Sequence, residues 1–415
     1  MHTDSASQTV AVVGAEFGWG SSGKLSAILS ALHGGPAPPG RPGPPDHPAP
    51  PLRFIGLGSA LGRPLLSEHP VDRWYDLSAD GTPDTLAEIV RSEGVRAALV
   101  VLDGSAAKAL QAAGVPTVFV DSLPFMWSAG DRTALPLDAT VYCAQKCAEL
   151  PPECLDVLAS VRALHWVDAV IGTPPAAVLD RPPSAPRQYR SALVSLGGLR
   201  APRLADWTNY PRLVVPAVLE ALAAHGVHEV HVAGNLPAEF AGRLVDAAVA
   251  PPRTTTGSLT HGDFLDRLAH CDVLLTSPGL TTLLEAGSLG VPTVCLPPQN
   301  LSQIFNGRFH SQAVGAEVRV VWPKDVLVEE EALSLRSHGE DRALELIYGG
   351  IGAAAQAADG RGTTRALRDA VLGALRHSTA EGVDWGALTT TVGTGGAAQV
   401  ADALLATLRG TSPPS

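Results

Sequence analysis

Short apolar runs recur along the chain, each followed by a stretch in which apolar residues return at helical spacing. The runs at 10–15 (VAVVGA), 52–58 (LRFIGLG), 97–102 (AALVVL) and 116–121 (PTVFVD) show no alternation with polar residues. That pattern marks strands buried on both faces, as in a parallel sheet covered by helices. Helices are predicted over 22–32, 85–92 and 105–113, the last two ending at Gly94 and Gly114, since glycine accommodates the left-handed turn that closes a helix. A strand pair at 140–144 and 167–172 completes this half. The Pro/Gly-dominated stretch 34–51 can be neither helix nor central strand and reads as a surface loop. Beyond the Pro-rich stretch 174–186 the alternation restarts, with strands at 192–197, 229–234, 272–276 and 292–297. Helices are predicted over 214–224, 238–249 and 281–289, followed by a mostly helical region that ends in an Ala/Leu-rich helix at 399–408.

Strand–helix alternation of this kind predicts an α/β fold of two Rossmann-like domains. Their expected extents are 1–173 and 191–395, with a linker at 174–190 and a C-terminal helical segment, 396–415, that packs back on the first domain. Such a pair places a ligand cleft between the C-terminal edges of the two sheets.

Composition narrows the function. A length of 415 residues with 45% apolar content suits two globular domains. A formal net charge of −11 without a basic run argues against a nucleic-acid partner. It does not exclude a phosphorylated small ligand, because helix N-termini bind phosphate through backbone N–H groups. Cys143, Cys147 and Cys154 cluster without a fourth ligand nearby, so free thiols in a reducing compartment are expected, and no metal. The polar opening of the chain and the lack of an apolar stretch of about 18–20 residues predict a cytoplasmic protein without a membrane span, monomeric or homodimeric.

The densest chemical signal runs over 276–307, TSPGLTTLLEAGSLGVPTVCLPPQNLSQIFNG. A buried strand ends at Thr276, Ser277-Pro278-Gly279 turns the chain, and Leu280 and Thr281 open a helix whose free N–H groups suit phosphate. Glu285 follows where a carboxylate can accept two ribose hydroxyls, and Gln299, Gln303 and Asn306 offer neutral polar groups for a sugar. An ordinary strand–helix unit with a polar turn accounts for the same residues. The paired glycines Gly197 and Gly198, after the first strand of this half, allow close backbone approach to a pyrophosphate. Arg200 stands near enough to reach a phosphate or carboxylate.

Segment 276–307 resembles the nucleotide-sugar-binding segment of GT-B glycosyltransferases, such as the peptidoglycan N-acetylglucosaminyltransferase and the UDP-glycosyltransferases. Ser277, Gly279, Glu285, the Gly290-Val291-Pro292 strand start, Gln303 and Asn306 carry the likeness. It implies a GT-B fold and a UDP-sugar donor as co-substrate, with no separate cofactor. Many UDP-glycosyltransferases place a histidine base in their first loop. Here Ser21 or Ser22 stands near that position, which leaves Glu16 and Asp121, each after an N-terminal strand, as candidate bases.

The first loop, with Gly18, Trp19, Gly20, Ser21, Ser22 and Lys24, also fits G-x-x-x-x-G-K. Leu25 stands where a P-loop needs the Ser/Thr that holds magnesium, which weakens a phosphoryl-transfer reading. In the GT-B reading this loop lines the cleft, and Lys24 or the helix N-terminus faces donor phosphate or an acidic acceptor. Residues 16–24 and 120–127 together are similar to cytosylglucuronate synthases of peptidyl-nucleoside antibiotic pathways. This implies transfer of glucuronate from UDP-glucuronate to cytosine or hydroxymethylcytosine by inverting displacement, with Ser122, Phe125 and Trp127 beside the acceptor. Alternatives are another GT-B transferase of natural-product or cell-wall sugars, a UDP-sugar epimerase, a P-loop kinase, and a non-catalytic UDP-sugar-binding protein. His225, His228 and His231 straddle a helix end and a strand start and read as structural, and His310 as a helix-surface residue.

Overall fold

The computed structural model describes residues 7–33, 51–58, 61–76, 83–172, 188–199, 206–357 and 360–410. Most of the Pro-rich stretches 34–51 and 174–186, and Arg200, lie outside the described residues. Strands β1 (Gln8–Gly14), β2 (Leu52–Leu57), β3 (Val71–Tyr75), β4 (Val95–Val101), β5 (Thr117–Asp121), β6 (Val141–Gln145) and β7 (Leu164–Val167) form one sheet. Its order is β3-β2-β1-β4-β5-β6-β7. Strands β8 (Ser191–Ser195), β9 (Glu229–Ala233), β10 (Arg253–Gly257), β11 (Val273–Thr276) and β12 (Thr293–Cys295) form a second, in the order β10-β9-β8-β11-β12. Every pairing in both sheets is parallel.

The unbroken apolar runs are explained by burial of both sheet faces. Val10 and Val12 join Leu99 and Val118 under the helices Gly20–Leu32 and Gly396–Arg409. Ala11 and Val13 join Val100 and Phe119 on the opposite face. Each fully buried aliphatic side chain contributes roughly 1.5–3 kcal/mol. The last helix thus belongs to the first domain's core, with Val400 and Leu404 fully buried there.

Two edge strands are absent from the sequence reading. β3 (VDRWY) and β10 (RTTTG) are partly exposed and polar, as edge strands commonly are, and so carry no apolar run. The strand expected at 167–172 is corrected: β7 ends at Val167. Residues 169–172 are apolar because they are buried at the domain crossing, with Ala169 and Val170 at 0% exposure. Their backbone bonds leave the sheet. Ala169 N–H donates to Gly393 O (3.2 Å), Val170 N–H to Gln145 Oε1 (3.0 Å) and Gly172 N–H to Glu285 Oε1 (3.3 Å). Gly396 N–H returns a bond to Ala169 O (3.1 Å), so the chain's two passages between domains lie side by side. No helix among the described residues is long and apolar enough to cross a membrane.

Candidate functional site

Each sheet reverses its winding once, between β1 and β4 and between β8 and β11. At such points neighbouring loops part and leave a crevice at the C-terminal strand ends. The two crevices face each other and enclose a cleft of about 1020 Å³. Leu102, at the end of β4 on the cleft wall, holds a left-handed φ of 62°, a conformation a branched side chain adopts only under constraint.

On the C-terminal wall, Thr276 ends β11 and helix Leu280–Ser288 begins after Gly279. Ser277, Gly279, Leu280, Thr281, Glu285, Gln299, Gln303, Asn306, Gly197 and Gly198 all line the cleft. Their side chains are tied to one another. Tyr210 gives its only proton to Pro297 O (2.9 Å), so it accepts from Ser277 Oγ (2.9 Å), which in turn accepts from Gln299 Nε2 (2.9 Å). Gln303 Oε1 accepts from Gln299 N–H (2.8 Å), and Asn306 Nδ2 donates to Pro278 O (3.0 Å). These amides therefore shape the 277–279 and 297–303 turns, while Asn306 Oδ1 is buried with no hydrogen-bond partner among the described residues.

Glu285, only 2% exposed, accepts from His261 Nε2 at 2.7 Å in addition to Gly172 N–H. Burial disfavours the charged imidazole of His261, but the Glu285 charge and hydrogen bond, with Glu68 beyond, outweigh it and raise its pKa. His261 opens helix His261–His270, capped by Thr260, whose Oγ1 accepts from Asp263 N–H (3.1 Å). Glu68 of the first domain reaches across to accept from Thr260 Oγ1 (2.9 Å) and Gly262 N–H (3.0 Å). Sequence reading missed His261 and Glu68. The Thr260-x-x-Asp263 capping pattern is the signal that locates the helix start.

On the N-terminal wall, Glu16, Gly18, Trp19, Gly20, Ser21, Lys24, Ser122 and Trp127 line the cleft. Gly18 has φ +79°, and Gly198 packs on it so closely that an added Cβ would lie 2.9 Å from Gly18 C. The paired glycine thus serves an approach between domains, whereas Gly197 (φ +68°) faces open space. Ser21 Oγ donates to Ala15 O (2.6 Å), and Trp19 Nε1 to Leu61 O (3.1 Å). Ser22 is buried facing Gly62, outside this cleft.

Several expectations are corrected here. Asp121 is fully buried and absent from the cleft lining. Its Oδ1 accepts from Leu123 N–H (2.9 Å), and its Oδ2 from Trp127 Nε1 (2.6 Å) and Tyr142 OH (2.8 Å). Burial pushes its pKa up to about 6 against these bonds. Asp121 is an anchor for the 122–127 turn and cannot reach an acceptor; Glu16 is the candidate base that faces the cleft. Phe125 also turns away, fully buried in the second domain's core between Phe305 and Phe309, at centroid distances of 5.7 and 5.2 Å. Arg336, another residue missed, fastens the same turn by donating to Met126 O (3.1 Å) and Trp127 O (3.0 Å). The P-loop reading fails on geometry. Helix Gly20–Leu32 begins before Gly23, whose N–H is spent on Trp19 O (3.0 Å), so no loop wraps a phosphate there. His310 is corrected to a buried residue stacked on Trp385, its pKa lowered to about 4 by burial. His225 stacks on Tyr189, His231 bonds Thr255, and His228 is exposed.

No protein-family model matches the sequence, and no curated protein matches it. Among solved structures, the chain is similar to a protein from Listeria monocytogenes provisionally named a UDP-N-acetylglucosamine 2-epimerase. The TM-score is 0.55 at 13% identity, covering 99% of both chains. It is similar to S. aureus MnaA, solved with UDP, with TM-score 0.52 at 12% identity and 99% of both chains covered. It is also similar to a UDP-glucose:anthocyanidin 3-O-glucosyltransferase solved in complex with UDP. There the TM-score is 0.50 at 16% identity, over 98% of this chain and all of the other. At such identity the likeness speaks for architecture: the chain has the GT-B fold, two Rossmann-like domains facing across a cleft.

Proposed function

We propose that the protein is a cytoplasmic, UDP-sugar-dependent glycosyltransferase. In this reading the donor lies on the C-terminal wall and a small acceptor on the N-terminal wall. The observation that carries it is the N-terminus of helix Leu280–Ser288 opening on the cleft, with Glu285 in the same wall. Backbone N–H groups there hold a diphosphate, and Glu285, steadied by His261, accepts ribose hydroxyls. The two similar structures solved with UDP support a UDP ligand.

The reaction is direct displacement with inversion. An acceptor nitrogen or oxygen attacks the anomeric carbon, and the bond to the β-phosphate oxygen breaks with its electron pair leaving on UDP. The acceptor's proton goes to Glu16. The helix N-terminus stabilises the leaving diphosphate, and the cleft holds the reactants in line. The resemblance of residues 16–24 and 120–127 to cytosylglucuronate synthases selects glucuronate as the sugar and cytosine or hydroxymethylcytosine as the acceptor. With Phe125 buried elsewhere, Trp127, on the cleft wall, is the residue of that pair placed to stack it.

Incubation with UDP-glucuronate and cytosine, beside a panel of UDP-sugars, tests this by mass spectrometry. UDP and a glucuronyl-cytosine are expected. Turnover only with another pair removes the narrower substrate. The TM-score of 0.55 to the provisionally named epimerase favours a second reading, in which an altered sugar appears without any acceptor.

A further inference from the structure

Lys24 lines the cleft with only 2% of its surface exposed. Its Nζ donates across the cleft to Thr281 Oγ1, its one hydrogen-bond partner among the described residues. Thr281 in turn donates to Gly20 O (3.4 Å). An ammonium carries three donors, so two N–H groups are left without a partner in a place shielded from water. Such a charge is unfavourable until an anion meets it. Burial accordingly lowers the Lys24 pKa to about 8, with the Glu285 charge opposing.

The surroundings are short of negative charge. Lys24 and His261 share one carboxylate, Glu285, while Glu68 is spent on Thr260 and Gly262 farther out. Two helix N-termini also meet here. A Cβ added at Gly20 or Gly23 would lie 3.7 Å from the Thr281 side chain, so the first turns of helices Gly20–Leu32 and Leu280–Ser288, where the dipoles are positive, pack against each other.

We propose that Lys24 is the first domain's contact to the donor's diphosphate, exchanging Thr281 Oγ1 for a phosphate oxygen when the nucleotide binds. One anion is then gripped from both domains. No magnesium-holding hydroxyl beside Lys24 is needed for this; Leu25 is core. The inference rests on the donor reading above.

Calorimetry with UDP and with uridine, on the full chain and on Lys24→Met, separates the two. Methionine fills the same apolar space without the charge. The variant should bind UDP at least ~10-fold more weakly, about 1.4 kcal/mol, and uridine equally well. Near pH 8 the wild type should also take up protons on binding UDP, seen as heats that depend on the buffer, and the variant should not. Glu285 and His261, the titratable groups facing Lys24, are common to both proteins, so the difference belongs to Lys24. A wild type that binds UDP, with a variant that binds it equally, overturns this inference and leaves the donor reading standing. A wild type that does not bind UDP overturns both. If Lys24→Met does not fold, Lys24→Gln takes its place in the same titrations, with the same expected and overturning results.

Discussion

Replacing Phe125 with Ala removes a ring that belongs to one domain by sequence and to the other by packing. The side chain is 0% exposed and meets Phe305 and Phe309 edge-to-face, at interplanar angles of 61° and 86°. Truncating a buried Phe costs about 3–5 kcal/mol; the two edge-to-face pairs, each about 0.5–1.5 kcal/mol, place this site at the upper end. The loss falls on the seam between domains, because the partners lie on helix Leu301–Val314 of the second. Urea unfolding followed by circular dichroism and tryptophan fluorescence should show a midpoint lowered by that loss divided by the m-value, and the two probes should separate into two transitions. Phe125→Leu, which keeps most of the volume, should lose less than half as much. A ring that stacked an acceptor would behave otherwise. If Phe125→Ala changed stability by less than about 1 kcal/mol and raised the acceptor KM instead, the interdomain packing argument would be refuted.

Asp121 holds its proton more tightly folded (about 6) than its ordinary 3.8. Stability from this group is therefore full below about pH 4 and lost as pH rises through 6, by about 3 kcal/mol. Asp121→Asn should flatten that part of the wild-type stability–pH curve, measured by denaturant unfolding, and superimposable curves would contradict it. For His261 the folded pKa is likewise raised, so its pairing with Glu285 stabilises at pH 6 and fades as pH rises past the folded value. The stability gap between wild type and His261→Gln should accordingly be wider at pH 6 than at pH 9. Arg336→Ala strips the Met126 and Trp127 carbonyls of a charged donor. A loss of about 2 kcal/mol is expected, with faster hydrogen exchange over 122–127; unchanged exchange would mean that Arg336 does not hold the turn.

What could be read from sequence was what is local. The run 10–15 announces a strand because both faces of β1 are buried, and 276–307 announces its turn and helix because Ser277, Gly279 and Glu285 lie within one strand–helix unit. What escaped depends on partners far along the chain. Phe125 looks like a loop aromatic until Phe305 and Phe309 are placed around it, and Asp121 looks like a free carboxylate until Trp127 and Tyr142 close on it. Residues 169–172 share their apolar character with a strand, and only their bonds to Gly393 and Glu285 reveal a crossing between domains. Glu68 and His261 meet only when the domains do, so neither stood out against its neighbours.

The proposed function places a UDP-sugar on the C-terminal wall of the cleft, held through helix Leu280–Ser288 and Glu285. Calorimetric titration of UDP into the wild type and into Glu285→Ala tests it most directly. Saturable binding to the wild type is expected, weakened about 10-fold or more in the variant by loss of charge-assisted bonds to the ribose. Equal affinity in the two proteins, or no binding to a folded wild type, would contradict it.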